Sequence, residues 1–215
     1  MYIGEMVLLV VSAILLVGLA KGITARLHLN DYAAVFLIFV IVLLNVRGGI
    51  QAGKFRLGLG GFLSVILSII LLIRRSEKAS DVGFALLSML GCAGIAFAYT
   101  MHFLGNVGLD PRLVAPLLSL LLALWCAFSA RRTFASCLFS ALTGGFLGIF
   151  CYLFFLEKRG NIGGDYCFCV MWLSAIFGLT IQYLLTVMMR AVKSPRANTY
   201  FEAGEMTEEE KKKGE

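Results

Sequence analysis

The chain reads as an all-α, polytopic membrane bundle of seven transmembrane helices. Three observations predict it. Seven long apolar runs are cut apart by short clusters of Arg and Lys. The 215 residues are 60% hydrophobic and 15% charged, with a mean hydropathy of +0.88, whereas a soluble domain carries about 25% charged residues. The runs also lack the apolar–polar alternation of a barrel strand. Lipid cannot hydrogen-bond a backbone, so each crossing is expected to be a helix that satisfies its own peptide groups.

The expected spans are 3–20, 30–46, 57–73, 82–104, 113–130, 134–156 and 166–189. A full crossing takes about 20 residues. The first run has no Lys or Arg ahead of it, with Glu5 in that place, and its first positive charges, Lys21 and Arg26, follow it. A cleavable signal has the opposite order, so this run is expected to stay as the first span. The second run is short and reaches about 25 Å at 1.5 Å per residue. The Gly-rich stretch 47–56 follows it. It reads either as a surface connection or as a re-entrant segment, the latter giving six spans plus one dip. Residues 1–189 form the membrane domain. Residues 190–215 form a cytoplasmic tail, expected to be disordered because it has almost nothing to bury. Within it, Thr207 and Glu210 have capping-box spacing, and Glu208–Lys212 and Glu209–Lys213 are i,i+4 pairs, enough for a frayed turn.

Basic residues set the orientation. With the N-terminus outside, the inner segments hold thirteen Lys or Arg and the outer ones six, so N-outside and C-inside is favoured in a cell membrane. Six of the thirteen lie in the tail, so the loops alone decide little. The bilayer is the expected partner, with Arg190, Lys193 and Arg196 beside its anionic inner leaflet. The net charge of +6 does not indicate nucleic acid, because the basic residues sit at helix ends as insertion requires.

Small residues recur every four positions in two spans: Gly60, Ser64 and Ser68 in the third, and Ser136, Ser140, Gly144 and Gly148 in the sixth. This step places them on one helix face, where a second backbone can come close. All six cysteines lie in apolar runs, without a CxxC spacing, and read as buried, unreactive thiols. Cys167 and Cys169, two apart, point to different faces and do not suggest a metal pair. No metal or other cofactor is indicated.

One motif occurs twice. Gly105-Asn106-Val107-Gly108-Leu109-Asp110 and Gly160-Asn161-Ile162-Gly163-Gly164-Asp165 both read G-N-apolar-G-x-D, and the threading puts both outside. Asp110 precedes Pro111 and Asp165 opens the last span, so both suit helix N-caps. The sharper reading is a polar site for a cation or small solute made by Asn106, Asp110, Asn161 and Asp165, with His102 nearby. The flanking spans would then form two parallel hairpins, 82–129 and 137–185, although little identity beyond the hexapeptide supports a duplication.

Three segments carry a likeness: Leu57-Gly58-Leu59-Gly60-Gly61-Phe62-Leu63, Asp110-Pro111-Arg112-Leu113-Val114-Ala115-Pro116-Leu117, and Asn161-Ile162-Gly163-Gly164. Through them the chain resembles a divergent member of an uncharacterised bacterial and archaeal family of polytopic membrane proteins, a domain of unknown function. The resemblance implies a membrane protein without a stated activity. It also implies acidic residues within the later helices, yet Gly148-Ile149-Phe150-Cys151-Tyr152 and Cys167-Phe168-Cys169-Val170 contain none.

Three function classes follow. A structural or accessory membrane protein fits a charge-poor bundle best. A small-solute or ion transporter or binding protein would use the outer loops, but no polar residue marks a broken helix at mid-membrane. An intramembrane enzyme fits least. Ile162-Gly163-Gly164-Asp165 only partly resembles the G-x-G-D of membrane aspartyl proteases, and neither HExxH nor G-x-S-x-G occurs.

Overall fold

The computed structural model describes residues 3–16, 30–47, 49–76, 78–129, 133–157, 160–162 and 165–212. Side chains are described for these apart from residues 3–5, 15–16, 47, 52, 160–161 and 190–212. Lys21 and Arg26, and Gly163 and Gly164 of the second hexapeptide, therefore lie outside the described residues. So do the side chains of Asn161, Arg190, Lys193 and Arg196.

Each expected run carries one helix: α1 (Ile3–Leu16), α2 (Asp31–Arg47), α3 (Leu59–Arg75), α4 (79–106), α5 (Pro111–Ser129), α6 (134–157) and α7 (Asp165–Lys212). Four stretches are long and apolar enough to cross a membrane: Ala79–Asn106, Pro111–Ser129, Phe134–Glu157 and Asp165–Met189. Among the described residues α1 spans 14, and α2 and α3 span 17 each, about 25 Å for the longer two.

Two helices contain wide π-turns. α4 ends in one at Met101–Asn106, and α6 contains one at Ser140–Gly144 and ends in another at Leu153–Glu157. Such turns insert a residue into the helical ladder and rotate the faces on either side.

The all-α expectation needs one correction. Residues 49–58 form a hairpin, β1 (Gly49–Ala52) and β2 (Phe55–Gly58), with Gly53 in the turn at φ +61°. A third strand, β3 (Gly160–Ile162), pairs with β2 in parallel, giving the order β1-β2-β3. The physical reason is amphipathic. Phe55 and Leu57 pack against the main core with the buried Ile162, while Arg56 between them is exposed. The strands thus cover apolar ends of the bundle with backbone groups that satisfy one another. Strands of three or four residues give little period-two signal, and the parallel partner lies about a hundred residues away in sequence.

The chain divides into two compact units, Met1–Ile181 and Gln182–Glu215. The main core of the first contains Leu118, Leu122, Leu142, Ile149, Val170 and Met171 from α5, α6 and α7. A smaller cluster joins Leu8 of α1 and Ile38 and Ile41 of α2 to Phe168. In the second unit α7 remains helical to Lys212, where the sequence alone leads to a disordered tail. Glu208–Lys212 and the neighbouring i,i+4 pairing are the local features that favour helix there.

Candidate functional site

The four-residue small stripes are helix–helix contacts. Gly60, Ser64, Ser68, Ser136, Ser140, Gly144 and Gly148 are all buried. A Cβ on Gly60 would stand 2.7 Å from both Asn45 Cβ and the Ile41 carbonyl oxygen, so α2 and α3 touch there through backbone. A Cβ on Gly144 would stand 2.7 Å from Cys92 Cβ and 2.8 Å from the Met89 carbonyl oxygen. One on Gly148 would meet the Ala93 carbonyl oxygen and stand 2.6 Å from Ala96 Cβ. α6 therefore lies against α4 along two successive turns.

The serines in these seams are hydrogen-bonded. Ser64 Oγ donates to the Gly60 carbonyl at 2.8 Å and accepts from Trp172 Nε1 at 3.1 Å. Ser68 and Thr143 pair through their hydroxyls at 3.1 Å. Ser140 Oγ donates to the Ala85 carbonyl at 3.2 Å, and Thr133 Oγ1 accepts from Ser136 N at 3.1 Å to start α6. Hydroxyls that return their protons to nearby carbonyls can sit in an apolar bundle without an unmet donor.

The other candidate residues gather at the end of the bundle that carries the sheet. Asp110 is exposed, and its carboxylate accepts from Arg112 N at 2.8 Å, the N-cap role expected for α5. Asn106 is exposed at the close of the α4 π-turn. His102 is exposed one turn earlier, its ring edge-on to Phe103 at 4.9 Å. Asn161 lies in β3 opposite Arg56, and Asp165 is the half-buried first residue of α7.

Residues between the two loops tie them together. Thr100 Oγ1, near the C-terminal end of α4, and Tyr166 OH, at the start of α7, are 3.5 Å apart. A Cβ on Gly105 would stand 3.4 Å from Tyr152 OH, and that hydroxyl donates to Glu157 Oε1 at 2.9 Å. Gly105 and the end of α6 are therefore neighbours. Sequence reasoning missed Thr100, Tyr152, Glu157 and Tyr166, because each sits inside or beside an apolar run with no motif to mark it.

A column of rings continues inward from this rim. Phe55 stacks on Phe154 at 5.8 Å, Phe154 on Phe150 at 5.6 Å, Phe150 on Phe146 at 6.2 Å, and Phe146 meets Phe62 edge-on at 4.9 Å. The four-residue step of 146, 150 and 154 sets them on one face of α6, so the column anchors β2 to that helix.

Among the described residues no group of three or more His, Cys, Asp or Glu could hold a metal ion. No family model matches the chain, nor does any curated protein or solved structure.

Proposed function

We propose that this is a multi-pass protein of the cell membrane with a structural or accessory role, threaded N-outside and C-inside through seven spans. The observation that carries the role is the character of the interior. Among the described residues of Met1–Ile181, the buried polar side chains are serines, threonines and Tyr152, whose hydroxyls bond to carbonyls, to one another and, for Tyr152, to Glu157. Ion-coupled transport draws on ionisable groups inside the membrane, and the described Asp, Glu, Lys, Arg and His side chains lie outside the buried set. The threading is supported by β3 lying beside β2. The four helices α3 to α6 intervene between these strands, and an even number of crossings returns the chain to the side it left.

A second reading has its own support. The rim brings Arg56 into register with Asn161, and sets Gly105 beside the Tyr152–Glu157 pair. These contacts support a reading in which polar groups at this end of the bundle bind a cation or small polar solute.

Heating the purified protein with a panel of ions and metabolites separates the two readings. A ligand that binds the folded state alone raises the melting temperature by mass action. The accessory role predicts no shift for any member of the panel, and a partner that co-purifies with the full chain but not with one truncated after residue 189. A shift that Asn161→Ala and Asp165→Asn both abolish overturns it in favour of the rim site.

A further inference from the structure

The small sheet overhangs the bundle that carries it. Its registers put Ile50, Leu57 and Ile162 in one row across the three strands. Ile162 is 3% exposed and Leu57 is half-buried, but Ile50 is 56% exposed. Cover is thus lost strand by strand toward β1, the open edge of the sheet. Gln51 and Arg56, paired in the next row, belong to the opposite face, and both are exposed. The hairpin therefore has an apolar underside and a polar top.

The foot of the hairpin stands where apolar helix surface ends. Leu43 and Val46, in the last turns of α2, are exposed, and Gly49 follows Val46 by three residues, no more than about 10 Å of chain. Phe155 and Leu156 are exposed in the last turn of α6, beside the Phe154 ring that stacks on Phe55.

Arg56 turns back toward that foot. A Cβ on Gly49 would stand 2.6 Å from Arg56 Nε and 3.3 Å from its Cζ, so the guanidinium lies across β1 over a bare glycine. Among the described residues no hydrogen bond or ion pair engages the Arg56 or Lys54 side chain, and residues 49–58 contain no Asp or Glu.

We propose that hairpin 49–58 binds an anionic phospholipid of the adjoining leaflet along the open edge of β1. The Arg56 guanidinium holds the headgroup phosphate beside Gly49, and Ile50 reaches the boundary between headgroups and acyl chains. The site rests on the multi-pass membrane reading above, whichever way the chain is threaded. The occupant follows from two features together. A planar guanidinium with no carboxylate partner suits a phosphate, and an uncovered Ile50 beside it suits a lipid rather than a free anion, which would leave it in water. Two cations in the hairpin also disfavour the choline of a zwitterionic lipid. The residues are separate from the basic cluster at 190–196.

The test offers the full chain in detergent equal phosphatidylglycerol and phosphatidylcholine, and native mass spectrometry counts the lipids retained. Flotation with phosphatidylcholine vesicles reports membrane residence separately. The parent should retain one phosphatidylglycerol more than Arg56→Gln. Gly49→Ala keeps the charge but displaces the guanidinium, and should lose the same lipid. Lys54→Gln changes the tip, about 13 Å from the foot, and should keep it. Both Arg56→Gln and Gly49→Ala change exposed positions, so each should melt with the parent before lipid is added. Glycerol phosphate, a headgroup without chains, should not displace the lipid at equal concentration. Equal counts in the parent and Arg56→Gln, a lipid kept by Gly49→Ala, phosphatidylcholine retained as readily at this site, or displacement by glycerol phosphate would each overturn the proposal. A chain that fails to float removes the membrane reading as well, whereas one that floats with equal counts removes the lipid site alone.

Discussion

The same six-residue pattern builds two different structures in this molecule. In Gly105–Asp110 the chain leaves α4 through a π-turn, passes Gly108 at φ +70°, and ends with Asp110 capping α5. In Gly160–Asp165 the first three residues become β3 and pair with Phe55–Leu57. The apolar residue shows the difference most clearly: Val107 is 54% exposed and Ile162 is 3% exposed. The hairpin 49–58 supplies a hydrogen-bonding edge to the second copy, whereas the first copy bonds back to the end of α4, Leu109 N donating to Phe103 O at 3.0 Å. The described residues of the repeated motif therefore take different conformations according to the partner each finds.

The strongest way to break this comparison is a matched pair of substitutions. Ile162→Asp buries a carboxylate in the core and should cost more than about 3 kcal/mol, while Val107→Asp should stay within about 0.5 kcal/mol. Thermal denaturation of both in detergent measures the gap, and equal losses would remove the distinction between the copies.

Next in size is the seam that supports the rim. Gly144→Leu should cost about 1–3 kcal/mol or more by overpacking α6 on α4, whereas Leu147→Phe, at a half-buried position, should cost less than half of that. Negligible effects of both would mean that the helices are not in backbone contact.

Smaller effects sharpen the picture of the first copy. Asp110→Ala should cost about 1 kcal/mol through loss of the α5 N-cap, and Asp110→Asn should retain most of it. Gly108→Ala should cost about 1 kcal/mol, because a Cβ is disfavoured at positive φ although nothing crowds the site. Hydrogen exchange should show the amides of residues 55–57 and 160–162 protected longer than those of 106–110, since only the former belong to a ladder.

Much of the fold is legible in the sequence, because helix length, apolarity and small-residue spacing are local properties. Among the described residues a helix falls in each apolar run, and Gly60, Gly144 and Gly148 lie at close backbone approaches. The sheet is not legible. Its strands are three or four residues long, and β3 is recognisable only once β2 is beside it. The candidate site is legible in part. Asp110 announces its capping role through the following Pro111, but Tyr152, Glu157, Thr100 and Tyr166 reach the rim by helix length and π-turn geometry that the sequence does not encode locally.

Cysteine labelling across the membrane gives the most direct check on the arrangement from which every other statement follows. Lys54→Cys, Val107→Cys and Lys78→Cys place an exposed thiol on the hairpin, on the first hexapeptide and on the α3–α4 turn. In intact cells an impermeant maleimide should modify the first two and spare the third until the membrane is opened. Modification of Lys54→Cys and Val107→Cys from opposite sides, or a chain that remains dispersed in water without detergent, would contradict a bundle whose sheet and paired loops share one face of the bilayer.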